Sequence, residues 1–241
     1  FTEGRTERQW LQKLWQDSQQ RAAEQGFELP EFDEFVQEGQ YKLPARDRRE
    51  YWLADFRADP EAQPLATPSG KLELYSQRIE HFGYADCPGH ASWLQPYEWL
   101  GGDAAATYPL HLLSPQPSRR LHSQLDQSAY SQAGKIAGKE VLTMHPEAAA
   151  DRGIKAGDLV RVYNQRGACL AGVQLDPDMR CDVVTLPTGA WFKPSDPEQA
   201  DSLELNGNPN VLTRDQGTSK LAQGSSAQTC LVQVALQTCL L

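Results

Sequence analysis

The sequence predicts an α+β chain in which a helical and irregular first part precedes a mainly β C-terminal domain. Three observations predict it. Apolar residues recur at helical spacing between Thr6 and Gly39. From Tyr108 onward, short apolar runs alternate with glycine-containing turns, the texture of a sandwich or a barrel. Charge divides at nearly the same place: residues 1–104 carry 11 Lys and Arg against 19 Asp and Glu, whereas 105–241 carry 12 against 13.

Each element follows from local chemistry. Thr6-Glu7-Arg8-Gln9 has the form of a capping box. Trp10, Leu11, Leu14 and Trp15 then repeat at helical spacing until Gly26 can end the helix. A second helix follows Pro30, with Phe32, Phe35 and Val36 on one face and Gly39 as its stop; these aromatic faces read as core. Residues 57–70 are loop-like, and Thr67-Pro68-Ser69-Gly70 reads as a turn. Lys71-Leu72-Glu73-Leu74-Tyr75 alternates polar and apolar, the pattern of a half-buried strand. Ser76 caps a short helix running to His81, and residues 83–104 read as a connecting segment. Further strands are expected at 108–113, 141–144, 159–163, 168–175 and 183–187. Pro146 opens a short helix closed by Gly153, Lys155–Asp158 is a turn, and Asn164–Gly167 is a hairpin turn.

Composition excludes several classes. Hydrophobic content is 39% and no apolar run approaches the roughly 20 residues of a membrane span. The net charge of −9 leaves no basic surface for non-specific nucleic-acid binding. Five scattered cysteines without a CxxC argue against a disulfide framework and read as mostly buried free thiols. The start, Phe1-Thr2-Glu3-Gly4-Arg5, has neither an initiator Met nor the features of a signal peptide, so the chain reads as beginning inside a longer protein.

Two polar clusters carry the chemistry. The first is Ser114-Pro115-Gln116-Pro117-Ser118-Arg119-Arg120-Leu121-His122-Ser123-Gln124, directly after a strand. Its arginines offer planar donor forks suited to phosphate, and its Ser and Gln side chains suit ribose or base edges. A solvated basic loop has the same composition. The second runs through Asn206-Gly207-Asn208-Pro209-Asn210 to Asp215-Gln216-Gly217-Thr218-Ser219-Lys220 and Gln223-Gly224-Ser225-Ser226. Glycine permits close backbone approach, the amides can read heterocycle edges, and Lys220 can neutralise a phosphate. Neither cluster is a P-loop or a GxGxxG turn. His81, Cys87 and His90 offer only three ligands where structural zinc wants four. No nucleophile, base or carboxylate pair stands out, so the residues alone give binding loops and no catalytic centre.

These same residues resemble a known family. YPLHLLSPQPSRRLHSQLD at 108–126, HPEAAADRGIKAGDLVRVYNQRG at 145–167 and NGNPNVLTRDQGTSKLAQGSSAQT at 206–229 resemble the dinucleotide-binding domain of molybdopterin oxidoreductases. TPSGKLELYS at 67–76 and FGYADCPGHASW at 82–93 resemble the segment before it in the dimethyl sulfoxide reductase branch. The LHSQ and GNPN…GTSKLAQG elements resemble those of S- and N-oxide reductases, and within that branch the chain is most similar to the biotin (methionine) sulfoxide reductases, with the trimethylamine-N-oxide reductases close behind.

The resemblance implies a six-stranded double-psi barrel over 105–241, and over 1–104 the C-terminal end of the catalytic region. It implies one molybdenum held by two molybdopterin guanine dinucleotides in the full-length enzyme, with the cofactor absent from the isolated segment. The implied substrate is an S-oxide or N-oxide, with an electron donor and the remaining N-terminal domains as partners. The metal-ligating serine is implied upstream, leaving no catalytic or metal residue here. Implied cofactor contacts are Ser114, Gln116, Arg120, His122, Ser123 and Gln124 in the first loop and Asn208, Asn210, Thr218, Lys220, Gln223 and Gly224 in the last. Arg120, His122 and Lys220 suit the diphosphates, and the amides suit guanine or pterin edges. The resemblance does not extend to the ending VALQTCLL. A cytoplasmic location is expected, with the periplasm as the alternative. The competing function is a stand-alone double-psi barrel that binds a nucleotide or a partner without catalysis.

Overall fold

The computed structural model describes residues 2–44 and 51–238. The chain forms two compact units, residues 1–73 and 74–241.

In the first unit the capping box forms as read: Thr6 accepts from the Gln9 N–H, and the Gln9 side chain returns to the Thr6 N–H. Helix α1 spans Glu7–Glu24 and α2 spans Phe32–Glu38, ended by Gly39 in the left-handed region at φ 74°. Trp15 stacks on Phe35 at 4.0 Å, and its indole N–H donates to Pro30 O. The expected core is thinner than the sequence suggests. No residue of either helix is buried, and Leu11, Leu14 and Val36 are exposed. Two helices alone enclose too little volume to bury a core. A third helix, α3 (Ala54–Ala58), had no periodic signal.

The expected strand at 71–75 does not form. Leu72 and Leu74 are exposed, and Tyr75 makes only an isolated bridge to His90. Turn bonds occupy the start of this segment instead: the Thr67 and Ser69 hydroxyls both donate to Lys71 O. Such local bonds compete with ladder formation, and alternation without a neighbouring strand gives nothing to pair with.

The second unit is organised by a closed barrel. Its strands are β1 (Leu110–Leu113), β2 (Val141–Met144), β3 (Leu159–Asn164), β4 (Gly167–Leu175), β5 (Val183–Thr185) and β6 (Cys230–Leu236). They close in the order β1-β5-β2-β4-β3-β6, the six-stranded ring expected of the double-psi class. Two pairs, β1 with β5 and β2 with β4, are parallel, and the other four are antiparallel. Period-two alternation sends Leu110, Leu112, Leu142, Met144, Val160, Val162, Val184, Val232 and Val234 inward, all at 2% exposure or less. The short helices α4 (Gln77–Glu80), α5 (Ala129–Gln132) and α6 (Pro146–Ala150) lie between strands or before them. Ser76 caps α4 as expected; α5, capped by Ser128, was not read from the sequence.

Glu98 pins the connecting segment 83–104 to the barrel. Glu98, 4% exposed, pairs with both terminal nitrogens of Arg166 and accepts the Leu231 N–H at 2.9 Å. Burial pushes this carboxyl up, but Arg166 and the Leu231 N–H outweigh it and hold it below the usual carboxylate range.

Candidate functional site

The first loop leaves β1 at Ser114. Its backbone makes a reciprocal pair with the Gln228 side chain, N–H to Oε1 at 3.0 Å and Nε2 to O at 3.2 Å. The Ser114 hydroxyl is buried and has no partner among the described residues. Gln116 donates to Nδ1 of His122 at 3.1 Å, and His122 sits in the left-handed region at φ 51°. Ser123 and Gln124 follow on the exposed surface.

Arg120 does not point its guanidinium at solvent. The side chain is 3% exposed and donates to His122 O, Ser131 Oγ and Thr188 O. It also stands 3.5 Å from Asp126 and 3.1 Å from Glu140, and Lys135 joins both acids at 2.8 and 3.2 Å. This buried quartet of two cations and two carboxylates clamps the loop from behind. Asp126 is fully buried; burial raises its carboxyl, but Lys135, the Trp191 N–H and Arg120 together hold it below the usual range.

The segment Thr188–Phe192, after β5, completes the site and was missed in the sequence. Gly189, at φ 93°, passes so close to the first loop that a Cβ would stand 2.1 Å from His122 O. No side chain fits there, so the glycine is required by contact as well as by φ. Trp191 links the two clusters. Its indole N–H donates to Ser123 O at 2.8 Å, its backbone N–H to Asp126, and its carbonyl accepts from the Asn206 amide at 2.8 Å. Gly189-Ala190-Trp191-Phe192, a glycine and two adjacent aromatics shortly after a strand, was the available signal; both aromatics stay more than half exposed.

The last loop turns on Glu204, which is fully buried. Oε1 accepts from the N–H groups of Lys193 and Asn206, and Oε2 from those of Gly207 and Asn208. Asn208 in turn caps a short 3-10 turn (Pro209–Val211) by accepting the Asn210 N–H at 3.0 Å. An open cleft of about 470 Å³ results, lined by His122, Ser123, Thr188, Gly189, Trp191 and Phe192 with Asn208 and Asn210.

Four of the twelve residues singled out in the sequence therefore meet in one cleft: His122, Ser123, Asn208 and Asn210. Gln116 reaches it through His122, and Arg120 lies behind it. Thr218, Lys220, Gln223 and Gly224 belong to a separate small loop. There the Thr218 N–H donates to Gly224 O, the Thr218 hydroxyl to Ala222 O, and the Gln223 amide to Ser219 O. Lys220 is exposed, and its backbone N–H donates to Asp86 at 3.0 Å. The ligand atoms of His81, Cys87 and His90 are not clustered. No helix among the described residues is long and apolar enough to cross a membrane.

One consequence is a defined acid sensitivity. Glu98 and Asp126 both titrate below their unfolded values, so each stabilises the fold above the ordinary carboxylate range. That contribution is lost as pH falls through the depressed folded values. Unfolding midpoints are expected to be flat near neutrality and to drop below about pH 4. A midpoint that rises on acidification would contradict this.

Comparison with known proteins places these loops in context. The sequence profile described as Molydopterin dinucleotide binding domain matches residues 110–231. A biotin sulfoxide reductase of Cereibacter sphaeroides is 46% identical over 235 residues, covering 97% of this chain and 31% of that protein. A dimethyl sulfoxide/trimethylamine N-oxide reductase of Rhodobacter capsulatus is 43% identical over 235 residues, covering 97% and 28%. The chain thus spans less than a third of the length of these relatives. Among solved structures, acetylene hydratase from Pelobacter acetylenicus superposes with a TM-score of 0.59 at 21% identity, over 86% of this chain and 28% of that one. Its name is that of a hydratase, so the shared fold does not fix the reaction.

Proposed function

The chain belongs to the molydopterin dinucleotide binding domain family, and from that premise we propose that it is the cofactor-gripping C-terminal part of a molybdenum reductase acting on S-oxides or N-oxides. The observation that carries this reading is the cleft in which His122 and Ser123 meet Asn208 and Asn210 across the Trp191 bridge.

The donor set fits a molybdopterin guanine dinucleotide. Asn208 and Asn210 offer amide groups to a purine or pterin edge, and His122 and Lys220 offer donors to a diphosphate. The Ser114 hydroxyl, buried and without a partner among the described residues, is a further donor in the loop that carries His122. Bound as a pair around one molybdenum, such groups would supply the removal of oxygen from the substrate and accept electrons from a donor; the protein supplies binding and orientation. Arg120 takes a different part. Its guanidinium is held by His122 O, Thr188 O and the buried carboxylates, so it sets the shape of the first loop and leaves phosphate contact to exposed groups.

The test uses the full reductase. It should purify with molybdenum and guanine nucleotide, and a well-folded protein without molybdenum would overturn the reading. Lys220→Ala should weaken retention of the nucleotide by about 10- to 100-fold, the worth of one charge-assisted bond. Unchanged nucleotide content in that variant would remove Lys220 from the phosphate contacts.

A further inference from the structure

Away from the residues of the cleft, His145, Glu147 and Cys181 place one ligand atom each within 4.8 Å of the others. The barrel creates this meeting. β2 runs into α6 through His145, which caps that helix, and β5 begins two residues after Cys181. β2 and β5 are antiparallel neighbours with Met144 opposite Val184, so the chain leaving one strand passes the chain entering the other. Sγ of Cys181 lies 3.2 Å from Nδ1 of His145 and 3.7 Å from Oε2 of Glu147. Zinc–sulfur and zinc–nitrogen bonds of about 2.3 and 2.0 Å set at a tetrahedral angle give a ligand–ligand edge of roughly 3.5 Å. The two edges in the structure bracket that value.

We propose that His145, Glu147 and Cys181 form a binding site for one divalent transition-metal ion, with zinc the best match to the donors. A thiolate and an imidazole nitrogen select such an ion over calcium or magnesium, which take oxygen ligands. Three protein ligands leave the fourth position to water, because Glu147 and Cys181 are exposed. Asp151 and Asp182 add negative charge that acts on the same sulfur; of the cations beside them in sequence, Arg180 is paired with Asp182, and Arg152 donates to Gln233 Oε1 and Ala148 O. On loading, the Cys181 proton leaves to solvent and the ion takes its place between Sγ and the imidazole. Nδ1 now also accepts the Glu147 N–H at 3.1 Å. The ion either replaces that cap bond or binds Nε2 after the ring turns.

The site is tested on the chelator-stripped, purified chain, titrated with Zn²⁺ by calorimetry and with Co²⁺ by absorbance. One ion per chain is expected, together with a near-ultraviolet sulfur-to-cobalt band. Cys181→Ser should abolish the band, and both Cys181→Ser and His145→Gln should weaken zinc binding at least about 10-fold. Cys87→Ser, which alters another partly exposed thiol, should change neither readout. Zinc should raise the unfolding temperature of the unsubstituted chain and not that of Cys181→Ser. The proposal is overturned if zinc binds the unsubstituted chain no more tightly than Cys181→Ser, or if the band is lost in Cys87→Ser and kept in Cys181→Ser.

Discussion

Replacing Asp126 with alanine is expected to cost about 3–5 kcal/mol of unfolding free energy, the penalty for breaking a buried ion pair from one side. Asp126 is wholly buried, and the Arg120, Lys135 and Glu140 side chains are only 3–5% exposed. The quartet is neutral as it stands. Without Asp126 it holds two cations against one carboxylate, and with side chains only 3–5% exposed the excess charge is poorly hydrated. The substitution also removes the acceptor of the Trp191 N–H, so the bridge between the two cleft loops loosens with it. A domain has only about 5–15 kcal/mol in hand, so the loss approaches half of the total. The double variant Asp126→Ala, Lys135→Ala restores neutrality and should recover part of it. Denaturant unfolding of the four proteins of that cycle gives the coupling directly. A loss below about 1 kcal/mol would mean that the quartet behaves like a surface pair.

The parts of the fold that were legible in the sequence are those set by local chemistry. β2 and β3 sit where apolar runs meet turn residues, and α1 begins at its capping box. β6 was not read as a strand, because Cys230–Leu236 has no turn signal after it and its role is to close a ring whose other members lie far back in sequence. The segment 71–75 had the clearest alternation and makes no strand, because alternation describes a face and not a partner. The cleft shows the same division. Its Asn and His residues were visible by type and order. Glu204 and Asp126 were not, since a single acid in a polar loop reads as solvated and only the packed fold buries it. Arg120 was visible as a cation, but its internal partners were not. The identity of the ligand came from resemblance, as amides and cations of this kind suit many anionic nucleotides.

Glu204 is where the last loop is most exposed to a single substitution. One carboxylate receives four backbone N–H groups, at 2.7 Å from both Gly207 and Asn208 and at 2.9 and 3.1 Å from Asn206 and Lys193. Each donor left bare inside the fold costs about 1–3 kcal/mol. In Glu204→Ala the loop will open to hydrate some of them, which limits the net loss to about 3–4 kcal/mol. The isosteric Glu204→Gln is not expected to rescue it. Glutamine offers one oxygen to two of the donors and turns its own NH2 toward the other two, setting donor against donor. The loop has little room to adjust, because Gly207 lies at φ 85° with Glu140 Cβ 2.7 Å from where its own Cβ would stand. Both variants should therefore unfold at lower denaturant, and the amides of Asn206, Gly207 and Asn208 should exchange with deuterium faster than those of the β3–β4 ladder. In the full reductase the same variants should lose nucleotide, since Asn208 and Asn210 lose the turn that presents them to the cleft. A Glu204→Gln protein within about 0.5 kcal/mol of the unsubstituted chain would show that the carboxylate is not what holds this loop.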